Sequence, residues 1–589
     1  MIQFKLLPKN NILIVNFLKN EDYVTPNDLL YDTQIIKNEI ELQKPAQIVF
    51  YGESIFWHKN IRIECFTSLH ECMSWAKEWR GFLKFIKEIN IPTFAFIQGK
   101  CDSIGLELAL ACRQRIATSE TLISCKDVRH GHLPVGGLLF RLISLIGLEK
   151  SLNILLRGGK LSAIEAKQIG LVHEVTPWPF DERDISLIHF VKTKQGLKLF
   201  LEDLPWARGM MFRFWRKEIL VRFRGHFRSP LKLLEIVERG WFKGGETRAQ
   251  LEIEAFSQLV FSSQSHVLEH VHSKLRSFFK VAPVDRKRIL FEGIDQEVLE
   301  LMSLLFKHHS LCLYESSEQK AEKFFSNYNN LNFEYSNSSF DQSKFDFVFK
   351  RLPEQGIVFE CFNVKEKSAS RLRFFAPLKD RKIVEIYHNG GNVQLLLSLF
   401  TNLNKFPLSI KGNDTVYHSP VIRMALSLHD EALLMVQEGH SLESILFAFK
   451  DLGMRPSVFD LWKESSSDQM NSYKAKLFSC YPERFVKNIG KKSAVGRERF
   501  ALRLLKESLH LLSEGVVKDP LMIDLMMIYG LGYPRYQGGL LYQVDYEGPE
   551  KWLRKMEELE REEGERFSPP ELLKQIVQAK GRIYDYTIL

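Results

Sequence analysis

The stretch from Pro92 to Pro177 constrains this chain more than any other. A strand-like run, Phe94 to Ile97, leads through a Gln98-Gly99 turn into a small-residue helix, predicted from about Gly105 to Cys112, with Glu107 in its middle. Burying a charged group is costly unless the charge is compensated or used. Glu107 is therefore a candidate for chemistry, with a helix-capping or ion-paired carboxylate as the simpler alternative.

A second acidic residue, Asp127, follows twenty residues later, after a predicted short strand from Leu122 to Cys125. An ordinary loop position is the alternative interpretation for this aspartate. The loop that comes next is rich in turn-forming residues and leads into an apolar helix: Gly131, Pro134, Gly136 and Gly137.

The length of 589 residues exceeds what one core can bury and predicts three to five domains. Eight cysteines without a C-x-x-C pair indicate reduced, buried thiols, not a disulfide or zinc framework, so we expect a cytoplasmic protein with no metal site. The first seventeen residues predict strand, turn and strand instead of a signal peptide, and no run of eighteen apolar residues occurs.

The order of predicted elements indicates an α/β protein followed by helices. Residues 1–55 alternate strand and helix, and residues 186–280 are helical. A second β-α-β opening starts at residue 284. Residues 418–589 are mostly helical and contain a faint repeat, in which 432–456 echoes 509–534. Such self-similarity predicts two related helical modules.

The first 180 residues resemble the crotonase, or enoyl-CoA hydratase/isomerase, superfamily. The linker-like stretch 225–262 and the blocks beyond it are similar to the larger family of fatty acid oxidation complex α-subunits, in which a crotonase unit is joined to a 3-hydroxyacyl-CoA dehydrogenase unit. The residues that carry the first resemblance are Gly99, Gly105, Glu107-Leu-Ala, Cys112, Arg115-Ile-Ala, Gly131, Pro134, Gly137, Arg141-Leu and the run 161–175.

The resemblance implies five domains. They are a crotonase-like domain (1–190), linker helices (191–283), a shortened, degenerate Rossmann-like NAD-binding domain (284–406), and two helical dehydrogenase C-terminal domains (407–490 and 491–589).

In the crotonase family two acids sit where Glu107 and Asp127 sit here, and the resemblance assigns them the catalytic roles. It assigns the oxyanion hole, which holds the thioester oxygen, to the backbone N–H groups of Ile104 and, approximately, His58. This chain departs from the family pattern at several of these positions. Asp127 is one methylene shorter than the family's glutamate, and Ile104 replaces a glycine, so its side chain is expected to crowd the thioester.

The dehydrogenase half departs further. Of three fingerprint glycines only Gly293 remains, beside Phe291 and Gln296, and acidic residues at the helix start would repel a pyrophosphate. Glu315 is placed as a ribose-binding acid would be.

The family's catalytic histidine corresponds to Arg373, which cannot act as a base. Glu385 therefore has no histidine to orient. We expect no hydride transfer here and doubt NAD binding. Two other roles are open for Arg373: a structural ion pair with Glu385, or binding of an anion such as a CoA phosphate or a carboxylate.

The formal net charge of +9 is concentrated in one segment. Between Pro205 and Arg228 seven basic residues face one acid, Glu218, with aromatic residues interleaved. Three interpretations of this segment remain open: a solvated helix face, a site for a phosphate-rich ligand such as coenzyme A, and a contact with an anionic membrane surface. Nucleic acid is not expected, because no nucleic-acid motif accompanies the charges.

The resemblance implies a β-oxidation protein that binds acyl-CoA, retains at most hydratase or isomerase activity without a cofactor, and pairs with a 3-ketoacyl-CoA thiolase subunit. The alternative is a non-catalytic relative that binds acyl-CoA or acts as a scaffold.

Overall fold

The computed structural model describes most of the chain in two compact units, residues 1–270 and 271–589. The described residues are 2–18, 23–52, 56–57, 60–179, 205–223, 225–278, 284–293, 295–305, 309–315, 317, 334–336, 341–352, 358–364, 368–374, 382–389, 393–411, 419–454 and 496–586.

A six-stranded sheet forms the centre of the first unit. The strands of this unit are β1 (Ile2–Leu7), β2 (Ile12–Phe17), β3 (Tyr23–Val24), β4 (Gln47–Gly52), β5 (Asn60–Ile61), β6 (Thr93–Ile97), β7 (Lys100–Asp102), β8 (Gln114–Thr118), β9 (Leu122–Ser124), β10 (Leu161–Ser162) and β11 (Glu174–Thr176). The large sheet has the order β1-β2-β4-β6-β8-β11, and smaller sheets are β10-β9-β7 and β3-β5. Only its edge pair β1–β2 is antiparallel; the other neighbours are parallel.

Helices cover this sheet, as the β-α-β pattern predicts. They are α1 (Pro26–Gln43), α2 (Leu69–Glu88), α3 (Ser103–Ala111), α4 (Leu138–Ile146), α5 (Leu148–Arg157), α6 (Ala163–Gln168), α7 (Pro205–Phe223), α8 (Arg228–Gly240), α9 (Gly245–Val260) and α10 (Ser263–Phe278). Ser68 caps α2, which buries a stripe that includes Trp75, Trp79 and Phe82. Every residue of α3 is buried.

The predicted linker helices join the core of the first unit. Phe212 and Trp215 of α7 and Phe256 of α9 belong to the same hydrophobic cluster as the strands and helices that precede them. The five-domain division therefore stays a prediction, whereas the structure itself shows two units.

An eight-stranded sheet opens the second unit. Its strands are β12 (Arg288–Glu292), β13 (Ser310–Tyr314), β14 (Glu334–Ser336), β15 (Phe347–Leu352), β16 (Val358–Asn363), β17 (Ser368–Phe374), β18 (Ile383–His388) and β19 (Phe406–Lys411), with α11 (Gln296–Leu305) and α12 (Gln394–Asn402) between them. The order is β14-β13-β12-β15-β16-β17-β18-β19, and the first four strands are parallel, as in a Rossmann-like half.

The rest of the second unit is helical. Its helices are α13 (Pro420–Gln437), α14 (Leu442–Asp451), α15 (Arg497–Ser513), α16 (Pro520–Met526), α17 (Leu540–Glu547), α18 (Pro549–Glu563) and α19 (Glu571–Gln578). A π-helical turn from Met527 to Leu531 follows α16.

The faint repeat has a physical counterpart in this region. Arg423 of α13 pairs with Glu507 at 2.6 Å and with Glu514 at 2.6 Å. Arg499 of α15 pairs in return with Glu431 at 2.5 Å and with Glu438 at 2.8 Å. The two helices thus exchange equivalent Arg–Glu contacts.

The described cysteines carry free thiols, and all of them are buried except Cys65. Within the described ranges, no helix is long and apolar enough to cross a membrane. The same ranges hold no cluster of three or more histidine, cysteine or carboxylate side chains that would bind a metal ion.

Candidate active site

The start of α3 brings the chain back against the loop before α2. Gly105 lies so close to the carbonyl oxygen of Phe56 that a Cβ atom at this position would overlap it. Glycine is therefore required there for a close backbone approach. Ile104 precedes it in the first turn of α3, where backbone N–H groups have no intrahelical partner. Its side chain is buried, and the crowding of a thioester by this side chain stays a prediction.

Glu107 is held by two donors from distant parts of the chain. Trp79 of α2 donates its indole N–H to Oε2 at 2.6 Å, and the backbone N–H of Gly136 donates to Oε1 at 2.6 Å. Gly136 must lack a side chain, because its Cβ would lie 2.6 Å from Oε2. Burial raises the pKa of Glu107 to about 7, the nearby charge of Asp127 adds to this, and the Trp79 hydrogen bond opposes it.

Asp127 lies in a different environment, at the start of a 3-10 turn that runs to His130. The hydroxyl of Ser103 donates to Oδ2 at 2.5 Å, and the thiol of Cys125 donates to the same atom at 3.0 Å. His132 places Nδ1 3.7 Å from Oδ1. Asp127 and Glu107 are close enough for the charge of one to affect the other. Two buried carboxyl groups with different hydrogen-bond partners are therefore brought together, as acid–base chemistry requires.

Aromatic side chains fill the space beside Glu107. Trp57 is buried in a left-handed conformation (φ 59°) and stacks on Phe17 at 5.1 Å. Its ring centroid lies 5.5 Å from that of Trp79. His58, the other expected oxyanion donor, lies outside the described residues.

An ion pair that no sequence motif indicates joins a linker helix to the site. Arg80 of α2 bonds Glu252 of α9, and Glu252 is almost fully buried. Both Glu252 and Arg141 interact electrostatically with Glu107. Glu252 lies on the core-facing side of α9, so helical periodicity would have located this buried acid. No sequence pattern could have identified Trp79 as a partner of Glu107, because a tryptophan on the buried face of an amphipathic helix normally only packs in the hydrophobic core.

The expected dinucleotide residues lie at one edge of the second sheet. Gly293 (φ 90°) and Glu315 follow the adjacent strands β12 and β13, and the Gly293 N–H donates to the Tyr314 carbonyl at 2.9 Å. Glu315 is buried and accepts from the Ser317 N–H at 3.0 Å.

The residues around this edge do not fit a pyrophosphate. Phe291 is fully buried and stacks on Phe349 at 5.3 Å. Asp295 accepts from the Val298 N–H at 2.7 Å, so a carboxylate caps the helix end that would face the phosphates.

Glu385 and Arg373 face each other across β17 and β18. Glu385 is fully buried and accepts hydrogen bonds from the Tyr387 hydroxyl at 2.7 Å and the Ser419 hydroxyl at 3.0 Å, with Arg373 Nε 4.0 Å away. Burial raises the pKa of Glu385, and the charge of Arg373 opposes that shift. Glu385 therefore joins β18 to the start of α13, consistent with a structural role for this pair.

Part of the first unit is similar to a known protein family. Residues 70–186 match the enoyl-CoA hydratase/isomerase family. One similar solved structure is an enoyl-CoA hydratase from Mycobacterium avium subsp. paratuberculosis K-10, with 15% sequence identity and a TM-score of 0.32. The matched region covers 46% of this chain and 95% of the hydratase chain.

The similarity extends over most of the chain. The fatty acid oxidation complex subunit alpha of Shewanella amazonensis is 25% identical and covers 85% of this chain and 86% of its own. The subunit of the same name from Idiomarina loihiensis is 24% identical over 87% of this chain and 88% of its own. The chain is thus similar to these α-subunits over most of its length, which confirms the resemblance found in the sequence.

Proposed function

We propose that this chain acts in fatty acid β-oxidation and hydrates or isomerises 2-enoyl-CoA thioesters in its first unit. The observation that carries the proposal is the coupled pair of buried carboxyl groups, Glu107 and Asp127, inside an enoyl-CoA hydratase/isomerase segment. The names of the relatives support the pathway, and no cofactor takes part in such a hydration.

The two environments suggest the roles. Asp127 accepts hydrogen bonds from Ser103 and Cys125 at Oδ2, and it would take a proton from the attacking water as the oxygen bonds to Cβ. Glu107, with a pKa of about 7, would give a proton to Cα. The N–H of Ile104 would donate to the thioester oxygen as negative charge develops there, and His58 is the proposed second donor.

The test is loss of the conjugated thioester when purified protein meets a short and a long 2-enoyl-CoA. Glu107→Gln should lower turnover at least a hundredfold, because it removes a proton-transfer group. Glu149→Gln, at an exposed position on α5, is the matched control and should leave the rate unchanged. Equal rates for wild type and Glu107→Gln would exclude this proposal.

A second candidate is a non-catalytic acyl-CoA-binding or scaffold protein. The Trp79 indole, which contacts Glu107 and packs against Trp57, favours it, since a large ring occupies space next to the proposed reacting group. Saturable binding of acyl-CoA without turnover of any enoyl-CoA would support this candidate over the enzyme.

We further propose that the second unit does not transfer hydride and does not bind NAD. Three observations support this proposal: Phe291 is packed in the core, the Asp295 carboxylate caps a helix start, and Arg373 lies opposite Glu385. Titration of NADH fluorescence tests it. No saturable change is expected below millimolar protein, and tight binding would contradict the proposal.

The relatives are named as subunits of a complex, so a 3-ketoacyl-CoA thiolase is the proposed partner of this chain in the cytoplasm. Gel filtration with and without such a thiolase tests the association. A complex is expected to elute ahead of either protein alone.

Helix α7 is the proposed contact with anionic membrane surfaces. Trp206, Met210, Phe214 and Val221 are at least half exposed and recur at helical spacing. Basic residues accompany them, as on interfacial helices. In vesicle co-sedimentation with anionic lipid, Phe214→Ser should reduce binding. Leu442→Ser, at a comparably exposed leucine in the second unit, should not.

A further inference from the structure

A cavity of about 680 Å³ lies in the second unit, and none of the site residues assigned above lines it. Helix α12 lines it with Gln394, Leu397, Ser398 and Thr401, which share one helix face at spacings of three and four residues. Strand β19 and the segment from Gly515 to Met522 complete the wall. The volume is in the range of small-molecule sites.

The lining of the cavity combines apolar and charged groups. Leu397, Val517 and Met522 are buried or half-buried, and we call this apolar part of the lining the floor. Lys411, Lys518 and Asp519 are exposed to solvent, and we call this charged part the rim. The carboxylate of Asp519 accepts from the Leu521 N–H at 2.9 Å and is thereby engaged as a helix cap. With two lysines and one carboxylate, the rim has a net positive charge and favours a negatively charged group.

A histidine and a hydroxyl add directional groups next to the lysines. His388 Nε2 lies 2.8 Å from the Ser409 hydroxyl, and His388 is directly opposite Lys411 in the β18–β19 register. Burial, followed by the charge of Lys411, lowers the pKa of His388. At neutral pH this pair can exchange hydrogen bonds with an anionic head group without adding charge.

The polar groups of this cavity lie on the sheet face opposite to Glu385. Successive side chains of a strand point to opposite faces. Glu385 and His388 are three residues apart on β18, so they lie on opposite faces of the sheet. Ser409 and Lys411 are two residues apart on β19 and share a face.

We propose that this cavity binds an anionic amphiphile of the fatty acyl type. The alkyl chain lies on the floor formed by Leu397, Val517 and Met522, and the anionic group lies between Lys411 and Lys518. A free fatty acid carboxylate and the phosphates of an acyl-CoA share this chemistry. The site does not depend on turnover at Glu107, so its failure and that of the hydratase proposal are distinguishable.

Calorimetric titration of the full chain with dodecanoate, below its micelle concentration, tests the proposal. Saturable binding is expected for wild type. The double variant Lys411→Gln/Lys518→Gln should bind about five- to tenfold more weakly, because two partly solvated charge contacts are lost. The matched control, Lys450→Gln/Lys574→Gln, removes the same charge from exposed lysines that do not line the cavity and should bind as wild type does.

A second variant keeps the test independent of charge. Val516→Trp, at a half-buried position of the wall, should fill the cavity and abolish binding. Titration with dodecanoyl-CoA distinguishes a free fatty acid from an acyl-CoA as the ligand. If dodecanoyl-CoA binds more tightly than dodecanoate and its binding is lost in the same variants, the site is assigned to the thioester. Absence of saturable binding, or equal affinity in the wild type, the double lysine variant and Val516→Trp, would overturn the proposal.

Discussion

Glu107 and Glu385 are buried glutamates with different consequences for function. Glu107 has an acidic neighbour, Asp127, and two N–H donors, and its pKa is raised to about 7. Glu385 has a basic neighbour, Arg373, and accepts from the Tyr387 hydroxyl on its own strand and from the Ser419 hydroxyl, which ties it to the start of α13. A carboxyl group near its midpoint at neutral pH suits proton transfer, whereas a carboxylate with a guanidinium and two hydroxyls suits a structural joint.

Removal of the Trp79 hydrogen bond should shift the titration of Glu107. That bond favours the charged carboxylate, so Trp79→Phe is expected to move the midpoint near pH 7 in the pH–rate profile to higher pH. Trp75→Phe is the matched control, because Trp75 lies one turn earlier on α2 and donates to the Pro26 carbonyl. An unchanged midpoint in Trp79→Phe would show that another group titrates.

Glu107 should also make the first unit less stable as the pH rises. Its folded pKa of about 7 exceeds the ordinary 4.5, so the unfolded chain releases this proton at lower pH than the folded chain. The free energy of unfolding should fall between pH 4.5 and pH 7 by on the order of 3 kcal/mol from this group. Denaturant unfolding of Glu107→Gln should lack that slope, and Glu149→Gln should retain it.

At the scale of elements, α2 and α3 form the site between them. Helix α2 contributes Trp79 and Arg80, and α3 contributes Ser103, Ile104 and Glu107. Both helices contain a glycine, but the two glycines have opposite surroundings. A Cβ at Gly81 would meet nothing within 4 Å, whereas a Cβ at Gly105 would overlap the Phe56 carbonyl.

These two glycines should respond in opposite ways to alanine. Gly81→Ala is expected to stabilise the first unit by about 0.5–1 kcal/mol, because alanine loses less backbone entropy in a helix. Gly105→Ala should destabilise it by about 1–3 kcal/mol through overpacking. Denaturant midpoints measure both changes. Gly159→Ala, in open space, should change little, and stabilisation by Gly105→Ala would contradict the close approach.

At the scale of the whole molecule, the two units hold their buried charges differently. In the first unit three buried acids, Glu107, Asp127 and Glu252, interact around one site. In the second unit Arg423 and Arg499 each bind two acids across the contact of α13 and α15. The reciprocal contacts explain why the sequence repeats Glu-Gly at 438–439 and at 514–515. In each copy the glutamate accepts from an arginine, and the glycine, with φ of 85° and 69°, ends the helix.

Removal of one arginine from this network should destabilise the second unit strongly. Arg499→Met leaves Glu431 and Glu438 short of a buried counter-charge, a change expected to cost about 3–5 kcal/mol. Hydrogen exchange should show lost protection in residues 496–586 while residues 60–179 keep theirs. Arg497→Met, whose ion pair with Asp451 is largely exposed, should cost less than about 1 kcal/mol. Equal costs for the two variants would argue against the network.

The sequence by itself determined the order of strands and helices and the two candidate acids. Periodic burial of apolar residues predicts α1, α2 and β2 nearly to their ends, because each pattern is local. Small residues around Glu107, and the turn glycines after Asp127, likewise locate the site within one stretch of chain.

Only the tertiary structure decided what those acids contact. Trp79 and Gly136 lie 28 and 29 residues from Glu107, and Arg80 lies 172 residues from Glu252. No local pattern encodes such pairs, since they form only when separate elements pack together. The pKa of Glu107 and the aromatic packing beside it are therefore properties of the fold, whereas the presence of a carboxyl group there is a property of the sequence.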